Sequence, residues 1–552
     1  MTASSKGLSA VKELYQKKKI NLLIGVVFFL ALGGACSIFV GFDLIKAIAD
    51  LFSGFAWFTV HFFPDIASFK KLNRILPALF STFLDSVAAS ATAAVFAYIL
   101  AILGSRSVGL KGPVPIIVRA IASIFRNIPI VAWAFLLLFS FKQSEFTGYF
   151  ALFLQSLGFL TRCFLENLDE LPLGSIEALR STGASYLQII CRAVIPMSIT
   201  QVVSWVLYMI ETNIRDATLV GMLTGTGIGF VFDLFYKQFD YSEAGLVLVC
   251  VIIVVIACET TSNFIRRSLL EPPSDAHPLS KTASGKIKLR VRERYDFVLG
   301  IVIAAIVVVT VGTFVQMNYG KVDLWQAFCA FLSNFATMAT QPHVDGHFQY
   351  ATLVGELFVT LALATLTTLG AAAIALVLGL AAASNLSNKL VSNIIKIIMS
   401  IIRAVPTILW VLIFTVAIGL GPEAAVIGML FHGVGYLVKA YSESFEEVSP
   451  GVLEALRSAG ASWWQVVVHG VFKEKINEML SWTFIRFEIN FVAAVVVAGM
   501  AGSGGIGYSL FLAGNYYFNI HEIGLIVWMC LIVSVILEFI ATKLRRKFIV
   551  RR

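Results

Sequence analysis

Apolar runs long enough to cross a bilayer, which takes about 20 residues, recur along the chain with polar punctuation between them. They fall at 20–42, 75–103, 115–139, 146–164, 189–210 and 244–265, and resume at 297–317, 352–383, 394–419, 423–441, 479–497 and 522–542. The pattern predicts an all-α polytopic membrane protein of about 12 transmembrane helices, because only helices satisfy the backbone of such runs within lipid. The polar stretch 266–296 divides them six and six. It carries Pro272, Pro273, Pro278, Ser284 and Gly285, then Lys286, Lys288, Arg290, Arg292 and Arg294, which is the composition of a linker. The expected organisation is a basic N-terminus (1–19), a first half (20–265), the linker (266–296), a second half (297–542) and a basic tail (543–552).

Composition sharpens this. Of the 552 residues, 58% are hydrophobic and 14% are charged, against roughly 45–50% and about 25% in soluble proteins. A soluble enzyme, a disordered chain and a disulfide scaffold are excluded, and the seven cysteines, with no CxxC, read as buried thiols. The net charge of +9 would suggest nucleic acid in a soluble protein. Here the Lys and Arg sit in short loops beside apolar runs, as they do on the cytoplasmic side of membranes. That places the N-terminus, 105–111, 161–192, the linker and the tail in the cytoplasm, and leaves 43–74 and 213–243 as facing loops. Lys70, Lys71 and Arg74 cut against the first of these. The run at 20–42 is too long for a signal-peptide core and reads as a retained helix.

The two halves repeat each other. Ser123-Ile124-Phe125-Arg126-Asn127-Ile128-Pro129 matches Ser400-Ile401-Ile402-Arg403-Ala404-Val405-Pro406 at an offset of 277 residues. Glu177-Ala178-Leu179-Arg180-Ser181-Thr182-Gly183-Ala184-Ser185 matches Glu454 through Ser462 at the same offset, as do Glu211 and Asn213 with Glu488 and Asn490. Gly227-Ile228-Gly229 matches Gly505-Ile506-Gly507 at 278, one residue having been inserted. The chain is a tandem duplication with equal topology in both halves, which puts a pathway at their interface.

The repeated Glu-Ala segment is a short polar helix ended by Gly183 or Gly460, then a second helical run leading into a span. A solvated loop would explain one copy; two copies ask for a partner surface. The segment resembles the EAA loop of binding-protein-dependent ABC importer permeases, a pattern of Glu-Ala, then Gly, then an apolar-Pro ending. The first half shows Glu177, Ala178, Gly183 and Ile195-Pro196; the second shows Glu454, Ala455 and Gly460, with Lys473 where proline is expected. The resemblance implies two tandem six-helix type I ABC importer permease repeats, with both loops coupling to an ATPase. It also implies two copies of that ATPase, an extracytoplasmic solute-binding protein, a lipid environment in a bacterial cytoplasmic (inner) membrane, and no second permease chain or nucleic acid. No GxxxxGK[ST] occurs, and the Gly-rich segments at Gly225, Gly227, Gly229 and Gly504, Gly505, Gly507 lack a phosphate-reaching Lys. No cofactor is therefore expected in this chain; ATP and Mg belong to the partner, and the chain itself is no enzyme.

A narrower resemblance lies just before those glycines. Glu211-Thr212-Asn213-Ile214-Arg215, then Gly227-Ile228-Gly229, looks like the signature of phosphonate-type permeases, with Glu488 and Asn490 its second copy. The cargo implied is a phosphonate or related phosphorus oxyanion, with a phosphate ester or another small solute as alternative. Glu211 and Arg215, four apart, pair on a helix in one reading. In the other, Glu211, Asn213, Arg215, Glu488 and Asn490 line the translocation pathway and Arg215 attracts the anion; Val492 replaces that arginine in the second half. The glycines read by default as packing positions. Arg126 with Pro129 and Arg403 with Pro406 mark helix kinks. Glu259 and Glu538 read as interface pairs with Arg266–Arg267 and Arg545–Arg546, and His343, Asp345 and His347 as a solvated loop rather than a metal site. A secondary transporter, the main competitor, has no use for the paired loops; a membrane enzyme would need a catalytic constellation that the spans lack.

Overall fold

A computed structural model describes residues 24–270 and 293–549, apart from 26, together with 280–281 and 287–288. The basic N-terminus 1–19 and most of the linker lie outside the described residues. The first half runs α1 (Val27–Val40), α2 (Leu44–His61), α3 (Leu72–Gly104), α4 (Val114–Asn127), α5 (Ile130–Phe141) and α6 (Glu145–Asp169). It continues with α7 (Leu173–Ser181), α8 (Tyr186–Ile189), α9 (Ile195–Thr224), α10 (Gly227–Lys237) and α11 (Tyr241–Leu270). Within the linker, Ser280–Lys281 pairs antiparallel with Ile287–Lys288, the one strand pair among the described residues.

The second half repeats this order. It runs α12 (Glu293–Gln316), α13 (Leu324–Thr340), α14 (Tyr350–Ala382), α15 (Lys389–Ala404), α16 (Thr407–Ile418) and α17 (Pro422–Glu446). Then follow α18 (Pro450–Ser458), α19 (Trp463–Gln465), α20 (Lys473–Ala501), α21 (Ile506–Asn515) and α22 (Ile520–Ile549). Among the described residues, nine helices are long and apolar enough to span a membrane, or up to 12 spans if each bent pair counts as one.

Two expected spans, 115–139 and 394–419, are broken rather than kinked. The bends between α4 and α5 and between α15 and α16 are 90° and 86°. Pro129 and Pro406 cannot donate to a helix, and each forces its predecessor extended: Ile128 and Val405 both have ψ 123°. The facing loop 43–74 also proves to be structured. It contains α2, and the second half has α13 in the same place, each N-capped by an aspartate, Asp43 or Asp323, that accepts two backbone N–H groups. The expected loop 213–243 is likewise filled, since α9 runs to Thr224 and α10 follows.

Small residues set the helix spacing. Ala89, Ala93, Ala97 and Ala101 form a fully buried stripe on α3, which packs along α6; α14 meets α17 in the same way. Close approach of this kind substitutes for a hydrophobic drive that lipid does not supply. Hydroxyls within the spans return to their own helix, as Ser86 and Ser90 do in donating to the carbonyls of Thr82 and Ser86 at 2.7 Å.

The halves interlock. The second half's α12 packs along the first half's α3, and Gly33 of α1 lies against Leu369 of α14. In the same sense α2 lies on α16, and α13 on α5. Each half therefore covers the short, largely apolar helix behind the other's proline break.

Candidate functional site

The two Glu-Ala segments fold alike. Just past the end of α7, Gly183 takes φ +79°, with its N–H bonded to Arg180 O at 3.0 Å and Ala184 N–H to Leu179 O at 3.1 Å. At the end of α18, Gly460 takes φ +80°, with Gly460 N–H to Arg457 O and Ala461 N–H to Leu456 O, both at 3.0 Å. This is the Schellman termination, whose left-handed residue favours glycine. A capping box then starts the next helix in each copy: Ser185 N–H donates to Gln188 Oε1 at 2.8 Å and Ser462 N–H to Gln465 Oε1 at 2.7 Å. Glu177, Ala178, Gly183, Glu454, Ala455 and Gly460 are all exposed, and α7 and α18 bury only Ile176 and Leu453.

Both loops continue into a long helix through a π-helical segment, Ile190–Val194 before α9 and Val466–Phe472 before α20. The wider turn accommodates Pro196 in the first copy. It persists in the second, where Lys473 stands instead, so the exit belongs to the loop's fold and not to the proline. Beneath each loop sits an equivalent ion pair. Asp169 binds Arg119 at 2.6 Å, Ser105 Oγ at 2.9 Å and Arg106 N–H at 2.8 Å. Glu446, its counterpart, binds Lys396 and Ser384 N–H, both at 2.7 Å.

Where the halves meet, charges cross. Arg403 pairs with Glu259 at 2.9 Å, and Arg126 pairs reciprocally with Glu538 at 3.5 Å and also with Glu488. Arg162 joins Glu538. The expectation that Glu259 serves Arg266–Arg267 is thus corrected, and each glutamate binds the arginine before the other half's proline break; the side chains of Arg545 and Arg546 lie outside the described residues. Gly158 and Gly435 make this possible, since a Cβ at either would collide with Arg126 backbone or Arg403 side chain. The second-half pattern is not fully copied. Glu211, the counterpart of Glu488, binds its own Arg215 at 2.9 Å and Arg266 at 3.9 Å.

That geometry is the i, i+4 structural pair, and it commits Arg215 to Glu211. Asn213 and Asn490 are fully buried cross-ties within their own halves: Asn213 donates to Ser90 and Ser156 hydroxyls at 2.9 and 2.8 Å, Asn490 to Thr368 at 2.9 Å. The glycine segments form tight turns. Gly225 and Gly502 end α9 and α20 in the left-handed conformation, and a Cβ at Gly229 or Gly507 would overlap the backbone of Thr218 or Val495. Gly227, Gly504 and Gly505 also take positive φ. The hydroxyls of Thr82 and Thr360 accept from Ile228 N–H and Ile506 N–H, in the first turns of α10 and α21, at 2.8 and 3.0 Å.

His343, Asp345 and His347 are exposed, as expected of a solvated loop, but the loop is also tethered. Fully buried Glu522 accepts from Asp345 N–H at 3.1 Å and His347 N–H at 3.2 Å and contacts His347 Nδ1 at 3.0 Å. The loop is thereby pinned to α22. Among the described residues no group of His, Cys, Asp and Glu is arranged to hold a metal.

Two interlocked helical halves, each with an exposed helix–turn–helix loop between spans, define a membrane-transport subunit with both halves in one chain. The family model for the binding-protein-dependent transport system inner membrane component matches residues 93–270 and again 375–550. The chain belongs to that family: it is a multi-pass, fused tandem permease of a binding-protein-dependent ABC importer. The phosphate-import permease protein PhnE of Mycolicibacterium smegmatis is 28% identical over 78% of this chain and 77% of its own. The phosphite transport system permease protein PtxC of Stutzerimonas stutzeri is 29% identical over 39% of this chain and 78% of its own. Among solved structures, an inward-facing methionine ABC transporter is similar at 20% identity, with 36% of this chain and 97% of that one covered and a TM-score of 0.34.

Proposed function

We propose that this chain is the complete membrane channel of an importer for a phosphorus oxyanion (phosphonate, phosphate or phosphite) in a bacterial inner membrane. Two copies of a separate ATPase hydrolyse ATP, and an extracytoplasmic binding protein delivers the cargo. The observation that carries the ATPase part is the pair of exposed helix–turn–helix loops at α7 and α18, which share one glycine turn and one capping box. A short helix ended by a fixed glycine turn and followed at once by a capped helix transmits a push as a rigid body. Glu177 and Arg180, with Glu454 and Arg457, supply charges that fix a docking register.

Mechanically, each push enters α9 or α20 through the π-helical segment. The reciprocal Arg403–Glu259 and Arg126–Glu538 pairs then act as a latch between halves that alternating access must open and remake. The names of the relatives support the phosphorus cargo. The test is uptake of labelled phosphate, phosphite and methylphosphonate into proteoliposomes holding the permease, its ATPase and its binding protein. ATP-dependent uptake of at least one supports the reading. Uptake of none, or uptake driven by an ion gradient without ATP as in a secondary transporter, contradicts it.

A further inference from the structure

Arg486, on α20, is among the largest fully buried side chains, at 1% exposure. Its Nε has no hydrogen-bond partner, and no carboxylate among the described residues pairs with it. The guanidinium lies 5.5 Å from the Tyr436 ring centroid, and its electrostatic neighbours are Tyr436 and, from the first half, Tyr208. His432 Nδ1 close by is also buried without a partner, and its charged neighbours are Arg486, Arg215 and Arg403. The glutamates of this region are already engaged: Glu211 by Arg215, Glu259 by Arg403, and Glu488 and Glu538 by Arg126.

The fold does not require this arginine. At the offset of 277 the first half has Met209 in its place, equally buried at 2%. A buried guanidinium without a counter-ion is unfavourable in a membrane-spanning bundle, and such residues mark ligand pathways. What the cluster lacks is an acceptor. Arginine's planar fork suits a tetrahedral oxyanion, and the imidazole and the two phenols add donors around it. Gly433 lets the guanidinium lie close against α17, since a Cβ there would touch Nε at 3.7 Å and crowd Ala371 at 3.0 Å.

We infer that Arg486, with His432, Tyr436 and Tyr208, is the intramembrane recognition point for a phosphorus oxyanion in transit between the halves, an inference that rests on the cargo proposed above. Sequence patterning favours Arg215 for this role, but that arginine already has a carboxylate and Arg486 has none.

The test uses the whole transporter in proteoliposomes, with labelled phosphate, phosphite and methylphosphonate as probes. Arg486→Met, which copies the first half, should melt at the wild-type temperature or above and keep basal ATP hydrolysis, while uptake falls about tenfold or more. Arg486→Lys should keep an intermediate rate, because the charge remains without the fork. Phosphate added without the binding protein should raise the melting temperature of the wild type but not of Arg486→Met. Equal uptake by wild type and Arg486→Met, or an equal phosphate shift in both, overturns the role of Arg486 alone. If the wild type takes up none of the probes, the phosphorus cargo itself is wrong and this site falls with it.

Discussion

Arg126, Arg403, Glu259 and Glu538 are the residues on which the two halves depend for their mutual position. Arg403 and Glu259 are 19% and 12% exposed, so removing one partner strands the other in a largely dry interface. Glu259→Ala is expected to destabilise the protein by about 3–5 kcal/mol, measured by denaturation in detergent. The double variant Glu259→Ala with Arg403→Ala should recover much of that loss, and strict additivity would contradict the crossed pair. The same logic applies within one helix. Arg215→Ala should lower stability through unpaired Glu211, and Glu211→Ala with Arg215→Ala should restore stability and uptake together. Continued transport failure in a well-folded double variant would return Arg215 to the pathway. Sequence positions mark Arg126 and Arg403 as equivalent at the offset of 277, and Glu259 and Glu538 as alike because each precedes an Arg-Arg pair by seven residues. They do not show that the partners are exchanged, because equivalence says nothing about which half each side chain faces.

At the scale of elements, the paired Glu-Ala loops are the most legible feature: a polar helical run, a glycine and a capping serine, written twice, specify both helices and the turn between them. A Cβ at Gly183 or Gly460 meets nothing within 4 Å, so substitution there is strained by backbone conformation alone. Gly183→Val should cost about 1–2 kcal/mol locally and weaken ATPase binding, whereas Gly183→Asn, which tolerates the left-handed region, should bind nearly normally. Equal binding by both variants would detach the turn from docking. The proline breaks were half visible: Pro129 and Pro406 announce a disturbance, but the right-angle bend also needs the glycines at 158 and 435, far along the chain. Helices α2 and α13 were missed because Lys70, Lys71 and Arg74 and the short polar gaps read as loop, and because the faces that support these helices belong to the other half.

At the scale of the molecule, duplication was readable from three motifs in one register, while the interlocking of the halves was not. Crossed first helices, crossed α2 and α13 and crossed ion pairs make the halves one mechanical unit. Separate expression of 1–265 and 297–552 should accordingly yield little folded protein from either half, and stable recovery of one half alone would contradict the interlock. The central claim is that a single chain presents two equivalent docking loops to two ATPase subunits. Native mass spectrometry of the purified complex tests it most directly. The account predicts one copy of this chain with two ATPase subunits, falling to one ATPase when either Gly183 or Gly460 is replaced by valine. Two copies of this chain per complex, or a full ATPase complement when both glycines are replaced, would contradict it.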